Sequence, residues 1–265
     1  MGEPRFETDG TVVTVVLDDH PQSAVDLGDP TLLTFEYVQH LALCVEALAG
    51  GGPLRTTHVG GAGLTLARWL QHTRPGSPQV VLEPDTGLTE AVRRELPLPR
   101  GHRIRVRPVT GEDGMAALRD ASADLVVLDA YAGGRVPAGL TTREWLRDAC
   151  RVLGDAGLLL ANLADDRGLR YVARVGAGAQ ETFGHVALVG LHEVLKGRRF
   201  GNVVLVASVR PLRLFDLRRA CASAALPTGV LTGAELARKA PGSLPFTADD
   251  AEPSPEPPDR DGWRR

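Results

Sequence analysis

Four stretches in the middle of this chain run apolar and then end in a group that can do chemistry. They deliver Glu83 and Asp85, then Glu112, Asp113 and Gly114, then Asp129 with Ala130 and Tyr131, and finally Asn162. Upstream, Gly60, Gly61, Ala62 and Gly63 form a glycine turn ahead of a helical pattern. Glycines let a backbone approach a ligand closely, a helix start offers unpaired N–H groups, and a carboxylate about 20 residues on can hold ribose hydroxyls. Those parts in that order suit a nucleotide-like ligand. A glycine turn alone equally describes a tight βα turn that binds nothing, and Asp113 alone reads more simply as a helix cap. Three successive acidic ends on one rim exceed what turn chemistry supplies.

The elements that position these groups follow from periodicity. Residues 11–17, β-branched and flanked by Asp-rich turns, predict a strand that 24–27 can join as a small N-terminal β-hairpin. Leu33, Tyr37, Leu41, Cys44, Val45 and Leu48 recur at helical spacing up to a Gly-Gly-Gly-Pro stop at 50–53. From there an oddly polar strand at Thr56, Thr57 and His58, which rests on the turn and helix that follow, and strands at 79–83, 103–109, 124–129 and 158–162 alternate with helices after the glycine turn and at 86–96, 114–119, 141–152 and 169–183. Thr141 and Glu144 have capping-box spacing. Strict β/α alternation predicts an α/β fold with a doubly wound, mostly parallel seven-stranded sheet, Rossmann-like. Strands at 185–191 and 202–208 are joined too closely for a helical crossover, so the last strand is expected antiparallel. Helical patches follow at 214–225 and 233–240. The division is an N-terminal hairpin at 1–29, a main domain at 30–248 and a Pro-rich tail at 249–265 expected to be disordered.

Composition narrows the classes. The chain has 265 residues, is 43% hydrophobic and 24% charged, and carries a net charge of −3, which argues against a nucleic-acid binder working by bulk charge. Lys196 and Lys239 are the only lysines, so the basic side chains are almost all arginine. Cys44, Cys150 and Cys221 are far apart and odd in number, which suggests reduced thiols, a cytoplasmic protein and no zinc site. The start lacks a signal-peptide core, and no apolar run approaches the ~18 residues of a membrane span.

In order and spacing, residues 10–209 resemble the spermidine synthase family of polyamine aminopropyltransferases, which share the fold of class I S-adenosylmethionine methyltransferases. The family pattern is an N-terminal hairpin, an entry helix, GGGDGG, a strand ending V-E-I-D, D-G after the third strand, then D-S-x-D-P and a gatekeeping loop. Here those places hold Gly60, Gly61, Ala62 and Gly63; Leu82, Glu83, Pro84 and Asp85; Asp113 and Gly114; and Asp129, Ala130, Tyr131 and Ala132. Leu140 and Trp145 stand where the family has loop-closing apolar residues. The resemblance implies that Glu83 grips the ribose of decarboxylated S-adenosylmethionine, that Asp113 accepts from the adenine amino group beside Gly114, and that Gln22 lies near the aminopropyl end. It implies that Asp129 helps deprotonate an attacking amine. The donor is a co-substrate; no tightly bound cofactor or metal is implied.

The departures gather on the acceptor side. Ala62 and Ala132 replace aspartates, Thr34 and Phe35 replace a tyrosine–glutamine pair although Glu36 is kept, and Asn162 replaces a glutamine. No tyrosine precedes the last strand, where Val194 and Leu195 lie instead. A cation in a closed cleft needs opposite charge, which counts against the usual diamine acceptor, and one smaller or less cationic than spermidine is expected. Glu36, Tyr131 and Asn162 remain acceptor-side candidates. Three readings stay open: transfer of an aminopropyl group to a small-molecule amine, methyl transfer from intact S-adenosylmethionine, and a catalytically inactive nucleoside-binding homologue. Partners such as nucleic acid or a membrane are not expected, and the resemblance suggests a homodimer. His40 and His58 read more simply as core histidines, Trp69 and Leu70 as core, and the basic run 196–199 as a solvated hairpin tip.

Overall fold

A computed structural model describes residues 3–17 and 20–258. Its N-terminal part is a three-stranded antiparallel sheet of β1 (Arg5–Asp9), β2 (Val12–Leu17) and β3 (His20–Asp26). The expected hairpin is therefore extended by β1, whose polar RFETD sequence and exposed residues gave no period-2 signal. Val13, Val15 and Val25 point inward and pack on Leu64, Ala67 and Leu88 of the main domain. Two hydrogen bonds fix this docking: Gly63 N–H donates to Ser23 Oγ at 2.9 Å, and Thr65 Oγ1 donates to the Ala24 carbonyl at 3.0 Å.

The main sheet has eight strands in the order β11-β9-β10-β8-β7-β4-β5-β6. These are β4 (Thr56–Gly60), β5 (Gln79–Leu82), β6 (Ile104–Arg107), β7 (Leu125–Asp129), β8 (Leu158–Asp165), β9 (His185–Leu191), β10 (Gly201–Ser208) and β11 (Thr228–Thr232). β4 to β8 pair in parallel, while β10 runs antiparallel between β8 and β9. The expected antiparallel end is present, with one strand more than the seven expected. β11 follows Pro227, is short, and is half exposed at the edge, so no apolar run announces it.

Helices cover both faces. α1 (Glu36–Leu48), α2 (Thr65–Thr73) and α8 (Leu214–Ala222) bury Leu41, Val45, Trp69, Leu70 and Leu217 against one face, with α3 (Thr86–Glu95) beside them. α5 (Arg143–Leu153), α6 (Arg170–Phe183) and α9 (Gly233–Lys239) bury Trp145, Leu146, Val172 and Leu236 against the other. The polar strand β4 is satisfied internally. His58 Nε2 meets Gln79 Oε1 at 2.9 Å, and Gln79 Nε2 donates to the Ala67 carbonyl at 2.9 Å.

Three local expectations are corrected. α5 is capped by Thr142, which accepts from Trp145 N–H at 3.2 Å, while Thr141 turns inward to the Tyr171 hydroxyl at 3.1 Å. α4 (Gly111–Ala116) starts earlier than expected and is capped by Thr110, so Asp113 lies in its first turn rather than capping it. β9 and β10 are joined through a one-turn helix, α7 (His192–Leu195).

The expected disorder from Asp249 is not what residues 249–258 show. Ser254 is fully buried, accepts Val136 N–H at 2.9 Å through its hydroxyl, and donates its own N–H to the Val136 carbonyl at 3.1 Å. The rest of that tail lies outside the described residues. No helix among the described residues is long and apolar enough to cross a membrane.

Candidate active site

The parallel strands bring the sequence-predicted groups to one rim, but they do not all serve the same purpose. Gly60 has φ +78°, and a Cβ there would meet the Asp129 carbonyl oxygen at 2.5 Å. Its glycine lets β4 end flush against β7, where Gly60 is opposite Asp129. A Cβ on Gly63 would strike the Ser23 hydroxyl, and one on Gly114 would meet Leu82 at 2.6 Å. Of these glycines only Gly61, at φ +133°, faces open space. Two of the three turn glycines thus answer to protein contacts, a distinction the sequence alone does not draw.

Asp129 sits at the end of β7 and accepts from Asn162 Nδ2 at 2.9 Å. Burial pushes its carboxyl up to about 6, against the opposing pull of the Asn162 hydrogen bond. Asn162 is 1% exposed, and its own Oδ1 is buried without a partner. Tyr131 donates to the Asn162 backbone carbonyl at 3.3 Å, and burial, with Asp129 adding to it, holds its phenol protonated.

Tyr37 is the residue that helical periodicity hides. It belongs to the inward stripe of α1, yet it lines the same cavity as Asp129, Gly60 and Gly61 and donates to the Gln22 carbonyl at 3.4 Å. Burial first, then the neighbouring Asp129 and Tyr131, raise its phenol pKa well above the usual value. An apolar stripe reports only that a face is covered, and a cleft covers it as well as a core does. Gln22 is brought to this end of the molecule through β3. Glu36 stands next to Tyr37 at the start of α1; burial raises its carboxyl pKa and Arg199 opposes that rise. Arg199 is therefore not the solvated tip residue expected. It is partly buried, whereas Lys196 and Arg198 are exposed and pair with Glu193.

Glu83 ends β5, accepts Asp85 N–H at 3.0 Å, and has its carboxyl pKa raised by burial. It opens on a second cavity of 270 Å³ walled by Ala62, Leu64, Val81 and Val92, just below the about 300–1,000 Å³ usual for ligand pockets. Leu64 and Val81 also line the cavity beside Asp129, so the two adjoin. The Asp129 cavity is only 20 Å³, room for about one water. Asp113 is exposed in the first turn of α4, and Gly114 packs on Leu82, the residue before Glu83. His40 and His58 are buried, bonded to Thr228 and Gln79, and burial lowers each to about 4, so both are neutral core groups.

The loop after Asp129 closes over this rim. Leu140 reaches across to Gly111, where a Cβ would meet it at 2.7 Å, and Trp145 is buried beneath the loop. From outside, Arg135 Nε donates to the Ser254 carbonyl at 2.5 Å, so the C-terminal segment straps the loop down.

No protein-family model matches the chain. It is 24% identical over 164 residues to the polyamine aminopropyltransferase of Chromobacterium violaceum, covering 61% of this chain and 62% of that one. The match thus spans about three-fifths of that relative's length. The fold superposes on a probable spermidine synthase from Corynebacterium glutamicum with a TM-score of 0.84, 28% identity and 92% of each chain covered. Human methyltransferase-like protein 13 in complex with SAH has the same fold at a TM-score of 0.55 and 20% identity, over 77% of this chain and 92% of that one. By sequence and by fold together, this chain is similar to polyamine aminopropyltransferases and to a probable spermidine synthase, and it shares its fold with a methyltransferase-like protein.

Proposed function

We propose that this protein transfers an aminopropyl group from decarboxylated S-adenosylmethionine to an amine, with Asp129 taking the proton. An ammonium with a pKa near 10 must lose a proton before it can attack, a cost of ~4 kcal/mol at pH 7. A carboxylate at the point of attack takes that proton and frees the nitrogen lone pair. The amine lone pair then forms the N–C bond to the aminopropyl carbon. The C–S bond breaks with its electron pair going to sulfur, which turns the sulfonium into neutral methylthioadenosine. The proton on Asp129 leaves to solvent. Asn162 orients Asp129, and Tyr37 and Tyr131 shield it from water. Glu83, Asp113 and Gly61 hold the adenosine, and Gln22 stands near the aminopropyl tail.

One observation carries the choice of donor. Among the described residues, those lining the Asp129 cavity include that carboxylate, Tyr37, Ser23 and Thr65, and no lysine or arginine. A tail bearing only an ammonium suits such a lining, whereas the carboxylate of intact S-adenosylmethionine finds no cation there. Methyl transfer is the second reading, supported by Ala62 and Ala132, because it needs approach and alignment more than cation-binding acids. The test is which donor the protein binds and which group it moves.

A further inference from the structure

We infer that the 270 Å³ cavity walled by Val81 and Val92 is a second binding site, separate from the donor's, for a small organic acid with an elongated apolar body. This goes beyond the transfer reading and does not depend on it. The sheet divides the two places. Successive side chains of a strand face opposite sides. Along β5, Val81 turns into the cavity, with Leu88, Val92 and Ile104 in the same core. Leu82 turns the other way, into the core that holds Leu140, and it is Leu82 that Gly114 packs on. The α4 turn bearing Asp113 and the cavity therefore lie on opposite faces of β5.

The cavity is long and changes character along its length. Val81 is opposite Val106 and Gln79 opposite Ile104 in the register of β5 and β6. From Glu83 back to the level of Ile104 is thus four residues of β5, about 13 Å at the rise of a strand. Between these ends the walls are apolar: Val81 and Val106 from the sheet, Val92 from α3 and Leu98 after it. Among the described residues lining the cavity Glu83 is the one acid, and it stands at the upper end.

The lower end collects positive charge. Arg93, exposed in the last turn of α3, lines the cavity and forms no ion pair among the described residues. His102 lines it too; its Nδ1 accepts Ile104 N–H at 3.2 Å, which leaves Nε2 to carry the proton and donate. Behind the wall at Pro97, Arg68 is 8% exposed and spends its guanidinium on carbonyls, Nε on Gly63 at 3.1 Å, Nη1 on Pro97 at 3.4 Å and Nη2 on Leu96 at 2.5 Å. No carboxylate is paired with it among the described residues. Residues 96–109 add Arg100, Arg103, Arg105 and Arg107 and contain no acid, in a chain whose net charge is −3. An anionic head entering at this end finds Arg93 and His102 as donors, while its apolar body displaces water from Val92 and Val106. A cationic head meets like charge at the same place.

Ile104 is the only isoleucine of the chain, so protein labelled at the isoleucine δ1 methyl carries one NMR probe on the cavity wall. Octanoate and octanamide, alike in chain and differing in head charge, are titrated into the full chain while that resonance is followed. We expect octanoate to shift it saturably and to bind at least ~10-fold more tightly than octanamide. Arg93→Gln should narrow the gap and Arg93→Glu reverse it, whereas Arg105→Glu, at an exposed position off the cavity wall, should leave octanoate preferred. Octanoate that leaves the resonance unmoved, or binds no better than octanamide, overturns the inference. So does a preference that survives Arg93→Glu, or one lost equally in Arg105→Glu. The octanoate shift should persist in protein saturated with methylthioadenosine; its loss gives the cavity to the donor and overturns the separate site. Failure of methylthioadenosine itself to bind defeats the transfer reading instead and leaves the octanoate titration intact.

Discussion

Asn162 gives its amide to the Asp129 carboxylate at 2.9 Å and keeps its own carbonyl oxygen buried beside it with nothing to accept. One residue thus steadies the proposed base and reserves a place for the group that base would act upon. A buried acceptor left unsatisfied costs about 1–3 kcal/mol, so the arrangement is expensive unless a ligand donor completes it.

The first expectation concerns pH. Asp129 can take a proton only when ionised, and burial places its titration at about 6, so the transfer rate should rise through that region and flatten above it. Asn162→Leu removes the hydrogen bond that favours the charged form. The rising limb should then move up by roughly one pH unit, the equivalent of one charge-assisted hydrogen bond. A pH–rate profile of the variant that overlies the parent's contradicts Asp129 as the base.

Asp129→Asn should lower transfer by about 10²–10⁴-fold while leaving donor affinity within error. It should also change stability in a defined direction. The folded pKa of Asp129 lies above the ordinary value of 3.8, so its contribution is fully present below about 4 and is lost as pH rises through about 6. Asp165, likewise pushed up to about 6 by burial, adds to that fall. In thermal unfolding from pH 4 to 7 the Asp129→Asn variant should show a shallower fall than the parent; an identical slope refutes the assignment.

Gly60→Ala should destabilise by more than the ~1–2 kcal/mol of a left-handed backbone alone, because its methyl group meets the Asp129 carbonyl. Gly61→Ala carries the backbone strain without that collision, since nothing lies within 4 Å of its Cβ. Chemical denaturation that ranks Gly61→Ala as the more damaging of the two removes the packing role given to Gly60.

The strap over the loop predicts a local effect. Ser254→Ala deletes the hydroxyl that accepts Val136 N–H, worth about 0.5–1.5 kcal/mol, and should raise hydrogen exchange at 133–137 while leaving β4 and β7 protected. Uniform exchange across the chain in both proteins argues that the segment does not hold the loop.

The central sheet was legible because buried parallel strands are apolar runs punctuated by turns, and each of β4 to β8 was expected within a few residues of its place. The edges were not. β1 is mostly exposed and β11 mostly half-buried, so alternation has little to report. Residues 249–258 look like a disordered tail by composition, yet Ser254 is buried by contacts with Val136 that no local pattern encodes. At the site, the strand-end acids were visible because chain order places them there. Tyr37 was not, since it sits in an apolar stripe and only the packing of α1 on β8 and β10 brings it to the cleft.

The most direct measurement is calorimetric titration of the full chain with decarboxylated S-adenosylmethionine, intact S-adenosylmethionine and methylthioadenosine, followed by mass spectrometry of the products formed with amines. We expect the decarboxylated donor to bind more tightly than the intact one, and an added aminopropyl group on the acceptor. Tighter binding of the intact donor with methylated product, or no binding of any of the three at tens of micromolar, would contradict aminopropyl transfer.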